Sequence, residues 1–385
     1  MIIGIDARLI NGERRGMGNV LYNILLHLPK FVSREIILYF DREINVELKG
    51  EMEELGYKLV IINGSNYLIW EQFLLPKRVK QDNITLFWHP YNTGSLFLSC
   101  SQVVSIHDVM YMKPRTVLPY SKSSYQILGR IYRKYNTPQI ARKAERIITI
   151  SHHAKDDIVS EIKNIDSKIE VVYNGCNKSL GISRDLSQWN QFKTFYNIND
   201  KYMLCLGATE PRKNTVYTIE VFGKFIKKHG LDIQLVICGL KNWHCSAAYD
   251  RVKELDICKN VVFLDYVPGE VLDLLYINAY IFLFLSYYEG FGLPILEAMA
   301  FNTPVVTTNV TSMPEIAGNA AIITAHNDER VTLEAVEKLY FNEQLYAHLV
   351  EKGQNRIKLF TWERSAAKVA NILADHCSKC DEVVK

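Results

Sequence analysis

Tyr280-Ile-Phe-Leu-Phe-Leu-Ser-Tyr-Tyr-Glu289-Gly290-Phe291-Gly292-Leu293-Pro294-Ile-Leu-Glu297-Ala-Met-Ala300 is the stretch that decides how this chain of 385 residues folds. Ile281–Leu285 is an unbroken apolar run of strand length. A turn containing two glycines follows it, and Pro294 stands where the first turn of a helix tolerates a residue without an N–H. The segment therefore reads as buried strand, tight turn and helix, the joint of a βαβ unit. In an open parallel sheet, ligands bind at the carboxyl ends of such strands.

The same alternation extends in both directions. In the first half, strands are predicted at Ile2–Ile5, Glu35–Phe40, Lys58–Ile62, Leu86–His89, Val103–His107, Arg146–Ile150 and Ile169–Tyr173. Helical periods fall between them, notably Asn19–Leu28, Ser121–Ala144 and His152–Ile162. The pattern lapses from Gly181 to Asp200 and restarts at Tyr202–Leu206, followed by Ile233–Cys238, Val261–Leu264, Ile281–Leu285, Pro304–Thr308 and Ala321–Thr324. Strands alternating with helices specify parallel sheets built from right-handed crossovers. The expected fold class is α/β, with two Rossmann-like α/β/α domains over 1–180 and 200–360 facing a cleft. A final helix over 361–385 is expected to cross back to the N-terminal domain. The length agrees with two domains, because single cores stop growing at about 250–300 residues.

Hydrophobic residues make up 48% of the chain and charged ones 23%, an ordinary globular balance that excludes disorder. The first residues lack a basic, then apolar, leader pattern, and the run Tyr280–Leu285 is far below the ~20 residues that span a bilayer. A cytoplasmic protein is expected. The eight cysteines are scattered, several inside predicted strands, as suits free thiols in a reducing compartment. Cys377 and Cys380 have the spacing of half a zinc site but no second pair, so no metal ligands are assigned. Charge is uneven: residues 1–180 hold 24 Lys and Arg against 18 Asp and Glu. Between Lys113 and Arg146, nine basic residues face one acid, Glu145. Tyr120, Tyr125, Tyr132 and Tyr135 interleave with them, and Arg130, Arg133 and Lys134 fall on or near one helix face. That stretch suits an anionic membrane surface, with a solvated helix face as the rival. Nucleic acid is not expected, since no binding module accompanies the charge.

Four motifs carry chemistry. In Glu289-Gly-Phe-Gly-Leu-Pro, backbone N–H groups of the turn and the positive helix end can receive hydroxyl or phosphate oxygens, and Gly290 and Gly292 let a ligand approach. Glu297, one turn into the helix, can accept both hydroxyls of a ribose, while Glu289 reaches a sugar. The bland alternative is a strand–helix joint with solvated acids. In Leu206-Gly207-Ala-Thr-Glu210-Pro-Arg212-Lys213-Asn214, adjacent cations at a strand end can neutralise a diphosphate, Arg212 forking onto two oxygens and Lys213 acting as a compact charge. A helix start would otherwise favour an acid. Arg14-Arg-Gly16-Met-Gly18-Asn19 offers a glycine loop before a helix. A nicotinamide-binding loop is the alternative, against which stand the ten residues from Asp6 to Arg15 and Leu21 in place of a third glycine. Finally, Val103-Val-Ser-Ile-His107-Asp108 ends a strand in polar residues, where a lone histidine is commonly structural.

The Glu289-x7-Glu297 spacing around Gly-Phe-Gly-Leu-Pro resembles glycosyltransferase family 4, the large retaining group with the GT-B fold. The resemblance extends through the Gly207…Glu210-x-Arg212-Lys213-Asn214 motif, the Gly16-Met-Gly18 loop, His107-Asp108, Asn174-Gly175, Pro314-Glu315 and Thr361-Trp362-Glu363, and so covers the chain to about residue 370. It implies that Glu297 binds the donor's ribose, that Glu289 with Gly290, Phe291, Gly292 and Leu293 holds the donor hexose, and that Arg212 and Lys213 grip its diphosphate. It also implies that Gly16 and Gly18 lie beside the leaving diphosphate and the acceptor, and that His107 contacts the donor sugar near the reacting carbon. Thr324-Ala-His326 departs from the family's usual Val-Asp-Pro, and no role is assigned there. The expected donor is a nucleotide-diphosphate sugar, with GDP-mannose favoured, and the acceptor a lipid-linked or oligosaccharide chain of a surface polysaccharide. No Asp-x-Asp occurs, so no metal and no other cofactor are expected. A sugar-nucleotide 2-epimerase of the same architecture and a non-enzymatic nucleotide-sugar binder are the alternatives.

Overall fold

The computed structural model of the chain describes residues 1–12, 14, 16–64, 66–113, 124–176 and 186–383. Two compact units emerge, and the first gathers Met1–Pro114, Tyr120–Gly175 and Phe360–Lys385, whereas Cys176–Leu359 forms most of the second.

The first unit holds a parallel sheet of β1 (Ile2–Asp6), β2 (Glu35–Phe40), β3 (Lys58–Ile61), β4 (Leu86–His89), β5 (Ser101–Ser105), β6 (Arg146–Thr149) and β7 (Ile169–Val171), in the order β3-β2-β1-β4-β5-β6-β7. The second holds β8 (Tyr202–Leu206), β9 (Gln234–Cys238), β10 (Val261–Leu264), β11 (Ile281–Phe284), β12 (Val305–Thr308) and β13 (Ile322–Thr324), in the order β10-β9-β8-β11-β12-β13. Counted from its own first strand, the second sheet runs 3-2-1-4-5-6 and the first runs the same with a seventh strand added at the end, the doubly wound order that reverses direction beside strand one. The chain therefore has the two-domain α/β architecture of the GT-B fold, and every predicted strand forms, with ends displaced by no more than two residues.

The largest local difference falls at β5, which is displaced to Ser101–Ser105, so that His107 lies beyond the strand. Strands buried on both faces read as continuous apolar runs, and their ends are therefore poorly marked in sequence. Ile281, Phe282, Leu283 and Phe284 of β11 are all within 2% of complete burial, which is the reason an isolated four-residue run could be read as a central strand.

Residues from Phe360 onward pack as part of the first unit. The helix Trp362–Val383 places Trp362, Ala366, Val369, Ala370 and Leu373 in the same apolar core as Ile3, Ile5, Leu21 and Leu25. Its start is fastened to the chain after β7. The hydroxyl of Ser365 donates to the Tyr173 carbonyl at 2.6 Å, and the rings of Tyr173 and Phe360 lie 5.3 Å apart. Gly175 is essential to this seam, since a Cβ there would stand 2.2 Å from the Trp362 backbone nitrogen. Because that neighbour is backbone, it cannot move aside cheaply. Gly175→Ala is expected to lower stability by about 1–3 kcal/mol, the usual cost of overpacking, read as a reduced urea midpoint at unchanged slope.

Candidate active site

The two strongest motifs end neighbouring strands. β8 and β11 pair in register at Met203–Ile281 and Leu204–Phe282, so the Gly207–Asn214 loop and the Leu285–Gly292 loop leave the sheet side by side at its reversal point. They are stitched together by Asn214, whose side-chain amide donates to the Leu285 carbonyl at 3.1 Å, and by the Tyr287 N–H, which donates to the Arg212 carbonyl at 2.9 Å. Asn214 sits at φ 57°, a left-handed conformation that asparagine tolerates, and this reverses the Pro211–Lys213 turn into the helix Thr215–His229. Gly207 allows the close packing below: a Cβ there would lie 2.5 Å from Ile237 on β9.

One carboxylate joins the loops electrostatically. Glu289 Oε2 lies 3.0 Å from Arg212 Nη1, and its Oε1 lies 2.7 Å from Lys213 Nζ. The other arm of Arg212 pairs with Glu210 at 2.7 Å. The side chains of Glu289, Arg212 and Lys213 are only 13%, 16% and 19% exposed, whereas Glu210 is 54% exposed. The inner three consequently interact in a partly desolvated setting, where charge pairs count for more than at a surface. A third loop, after β12, supports Glu289 from the other side. Thr311, at φ 52°, accepts the Glu289 N–H at 3.2 Å, and the buried Ser312 hydroxyl lies 3.1 Å from the Glu289 carbonyl and 2.8 Å from that of Phe291.

Phe291 is buried under the turn, and Gly292 adopts φ 102° immediately before the helix Leu293–Ala300. No side chain caps that helix and its first turn holds no acid, so its positive end carries no counter-charge from within the helix. Glu297 lies further along and accepts the Tyr276 hydroxyl at 3.2 Å. Burial, reinforced by the neighbouring Glu297 charge, holds the Tyr276 phenol well above its ordinary range and therefore protonated as the donor. The structure thus brings Gly207, Glu210, Arg212, Lys213, Glu289, Gly290, Phe291, Gly292, Leu293 and Glu297 onto one edge of one sheet. Sequence reasoning missed Thr311, Ser312 and Tyr276. A threonine at positive φ has no sequence signature, and a tyrosine in an apolar helix reads as core.

The remaining candidates lie in the first unit. Gly16 at φ 42° begins the helix Met17–His27, and Gly18 permits that helix to touch the loop after β1, since a Cβ would stand 2.3 Å from the Leu9 carbonyl oxygen. His107 is buried beside a small cavity lined by Leu21, Trp88, Ser105 and Asn174. Its Nε2 lies 2.9 Å from the Pro90 carbonyl, which can only accept, so that nitrogen carries the proton and Nδ1 is left with a lone pair. The basic stretch divides. Arg130 is buried, donating to the carbonyls of Tyr111 and Lys113, and Lys113 pairs with Asp157 and Glu161, while Lys134 is exposed. Arg130 and Lys134 therefore do not share an outward face, because a step of four residues in a helix carries a side chain 40° further around and here crosses the edge of the buried side. Residues 114–123, with Tyr120, and the side chains of Tyr125, Cys377 and Cys380 lie outside those described.

Comparison with known proteins identifies the family. Residues 14–180 match the family described as Glycosyltransferase Family 4, and residues 188–356 match Glycosyl transferases group 1. The O-antigen chain mannosyltransferase RfbU of Salmonella typhimurium is 27% identical over 84% of this chain and 87% of its own. O-antigen chain mannosyltransferase B of Escherichia coli is 28% identical over 59% and 60% respectively. Among solved structures, Anabaena Alr3699/HepE, crystallised with UDP and glucose, superposes with a TM-score of 0.69 at 14% identity, covering 97% of this chain and 99% of that one. The chain belongs to glycosyltransferase family 4 and has the GT-B fold.

Burial lowers His107 to a pKa of about 4, the Pro90 carbonyl only partly opposing the shift, and lowers His89 likewise to about 4. The unfolded chain therefore takes up protons between about pH 6.5 and 4 that the folded chain refuses, so stability falls as pH drops through that window. His107→Gln, which keeps a donor for Pro90, is expected to make this decline shallower by up to about 3 kcal/mol, measured as the pH dependence of the urea midpoint.

Proposed function

We propose that this protein is a retaining hexosyltransferase that moves mannose from GDP-mannose to a glycan or glycolipid acceptor in the synthesis of a surface polysaccharide. The observation that carries the reading is the pair of cations, Arg212 and Lys213, converging on one carboxylate where the β8 and β11 loops join. Two adjacent positive charges, partly desolvated and beside a helix N-terminus, suit a diphosphate. In this reading Glu289 occupies them in the free protein and yields them to the donor, turning with the Gly290–Gly292 amides to the hexose. Glu297, oriented by the Tyr276 phenol, accepts the ribose hydroxyls. Phe291 and Leu293 shape the turn, and Gly207 and Glu210 position the cations.

His107, Gly16 and Gly18 take their roles from the family resemblance, His107 near the reacting carbon and the two glycines near the diphosphate and acceptor. With two cations neutralising the leaving group, no divalent ion is required. The donor's own phosphate oxygen accepts the proton of the attacking hydroxyl, and no protein nucleophile is assigned. The preference for mannose and a polysaccharide product is supported by the names of the two O-antigen relatives. The acceptor, a lipid-linked or oligosaccharide chain, is presented at the inner face of an anionic membrane, where the protein is peripheral.

Incubation with GDP-, UDP- and dTDP-sugars, with and without a glycolipid fraction, tests the assignment. GDP-mannose is expected to release nucleotide only with acceptor, to form an α-linked product, and to do so equally in EDTA. Conversion of the nucleotide sugar without acceptor would contradict transfer. In the same assay, Glu297→Ala is expected to raise the donor dissociation constant roughly 10- to 100-fold, the range for losing hydrogen bonds to a charged group, with unchanged circular dichroism. Unaltered donor affinity would remove Glu297 from the ribose site.

A further inference from the structure

Nine of the eighteen exposed large apolar side chains among the described residues fall in three short segments of the first unit: 67–73, residue 97 and 127–135. Such crowding is unlike the single scattered apolar residues that any surface carries. The segments are held together. Tyr132, on the helix Ser124–Lys143, packs edge-on against Tyr67 at 5.6 Å and hydrogen-bonds Gln72 at 2.6 Å and also Glu71. Gln72 in turn accepts the Leu96 N–H at 2.9 Å, and Phe73 stacks on Phe97 at 5.8 Å.

The polar sides of these elements are spent inward. Glu71, in the π-helical turn Trp70–Leu74, is 1% exposed and lies 3.4 Å from Arg8, whose guanidinium sits 4.5 and 4.0 Å from the ring centroids of Tyr67 and Trp70 and pairs with Asp6 at 2.6 Å. On the helix Ser124–Lys143, Arg130, Asn136, Thr137 and Ile140 face the interior. The outward arc is left to Leu128, Ile131 and Tyr135, which are 67%, 58% and 66% exposed, spaced three and four residues apart. Phe73 and Phe97 are 64% and 63% exposed on the other two segments, which Tyr132 and Gln72 tie to this helix.

The segments that carry this surface are poor in acids. Residues 66–81, 94–99 and 124–143 contain a single acid, the buried Glu71. Exposed Lys77, Lys80, Lys134, Arg142 and Lys143 lie in the same segments. An apolar face carried by segments whose exposed charges are cations is complementary to acyl chains beneath anionic headgroups. Among the described residues no helix is long and apolar enough to cross a bilayer.

We propose that Phe73, Phe97, Leu128, Ile131 and Tyr135 form a surface that inserts into the interfacial layer of an anionic lipid membrane. This deepens the reading of a membrane-presented acceptor and rests on it for its purpose, but not for its physics. It also extends the contact. The sequence points to the aromatic and basic residues of the Lys113–Arg146 stretch, whereas here the apolar Leu128 and Ile131 of that stretch join Tyr135, and Phe73 and Phe97 come from two further segments.

Flotation of the full chain with phosphatidylcholine vesicles, alone or with phosphatidylglycerol added, provides the test. Binding is expected only to the anionic vesicles and should weaken with salt. Leu128→Glu with Ile131→Glu should reduce it roughly tenfold or more, and Lys134→Gln with Arg142→Gln severalfold. All four positions are exposed, so thermal unfolding should be unchanged. Ile131→Trp should be quenched by lipids brominated on the acyl chain. No vesicle binding, or binding indifferent to the glutamate pair, would overturn the proposal. So would a dimer in sedimentation that the same pair dissolves, which would assign the surface to a second copy of the chain. Turnover of donor onto a water-soluble acceptor by the same variants reports separately on the transferase reading, and is expected to persist in all of them.

Discussion

The carboxylate of Glu289, held between Arg212 and Lys213 at 3.0 and 2.7 Å, is the interaction on which the rest of the second unit's site depends. It exists because β8 and β11 are neighbours, and they are neighbours because a doubly wound sheet reverses there. Two loops separated by more than seventy residues in sequence are thereby brought within hydrogen-bond distance. Asn214 and Tyr287 fix their backbones, Thr311 and Ser312 buttress the acid from a third loop, and Glu289 is the anion that both cations share while the exposed Glu210 pairs with Arg212. A diphosphate brings at least two negative charges to cations that the Glu289 carboxylate opposes with one, so it can compete with that carboxylate for them.

The first unit uses the same sheet order differently. At the carboxyl end of β1, Asp6, Arg8 and Glu71 form a closed network, with the arginine enclosed by Tyr67 and Trp70. Buried charges at such density survive only when each has partners. One half of the chain keeps its polar groups accessible at the sheet edge, and the other seals them beneath an apolar surface.

Much of this was legible beforehand. Continuous apolar runs separated by helical periods gave all thirteen strands, and the adjacent cations, paired acids and glycine turn marked the sheet edge that the structure assembles. The unread parts share a physical cause. Tyr276, Thr311 and Ser312 act through a single hydroxyl placed by tertiary packing, which leaves no spacing to detect. Arg130 was grouped with Lys134 by helical position, but the buried side of its helix reaches it and passes Lys134 by. The apolar arc of Leu128, Ile131 and Tyr135 has the period of an ordinary core-facing stripe, and only the fold shows that it faces outward.

The central claim is that Glu289 holds, in the free protein, the cations that a donor diphosphate takes. Calorimetric titration of wild type and Glu289→Gln with a free nucleoside diphosphate measures this directly. Because the amide no longer competes for Arg212 and Lys213, the variant should bind the nucleoside diphosphate more tightly while losing sugar transfer. Equal or weaker binding by the variant would contradict the exchange of one anion for the other.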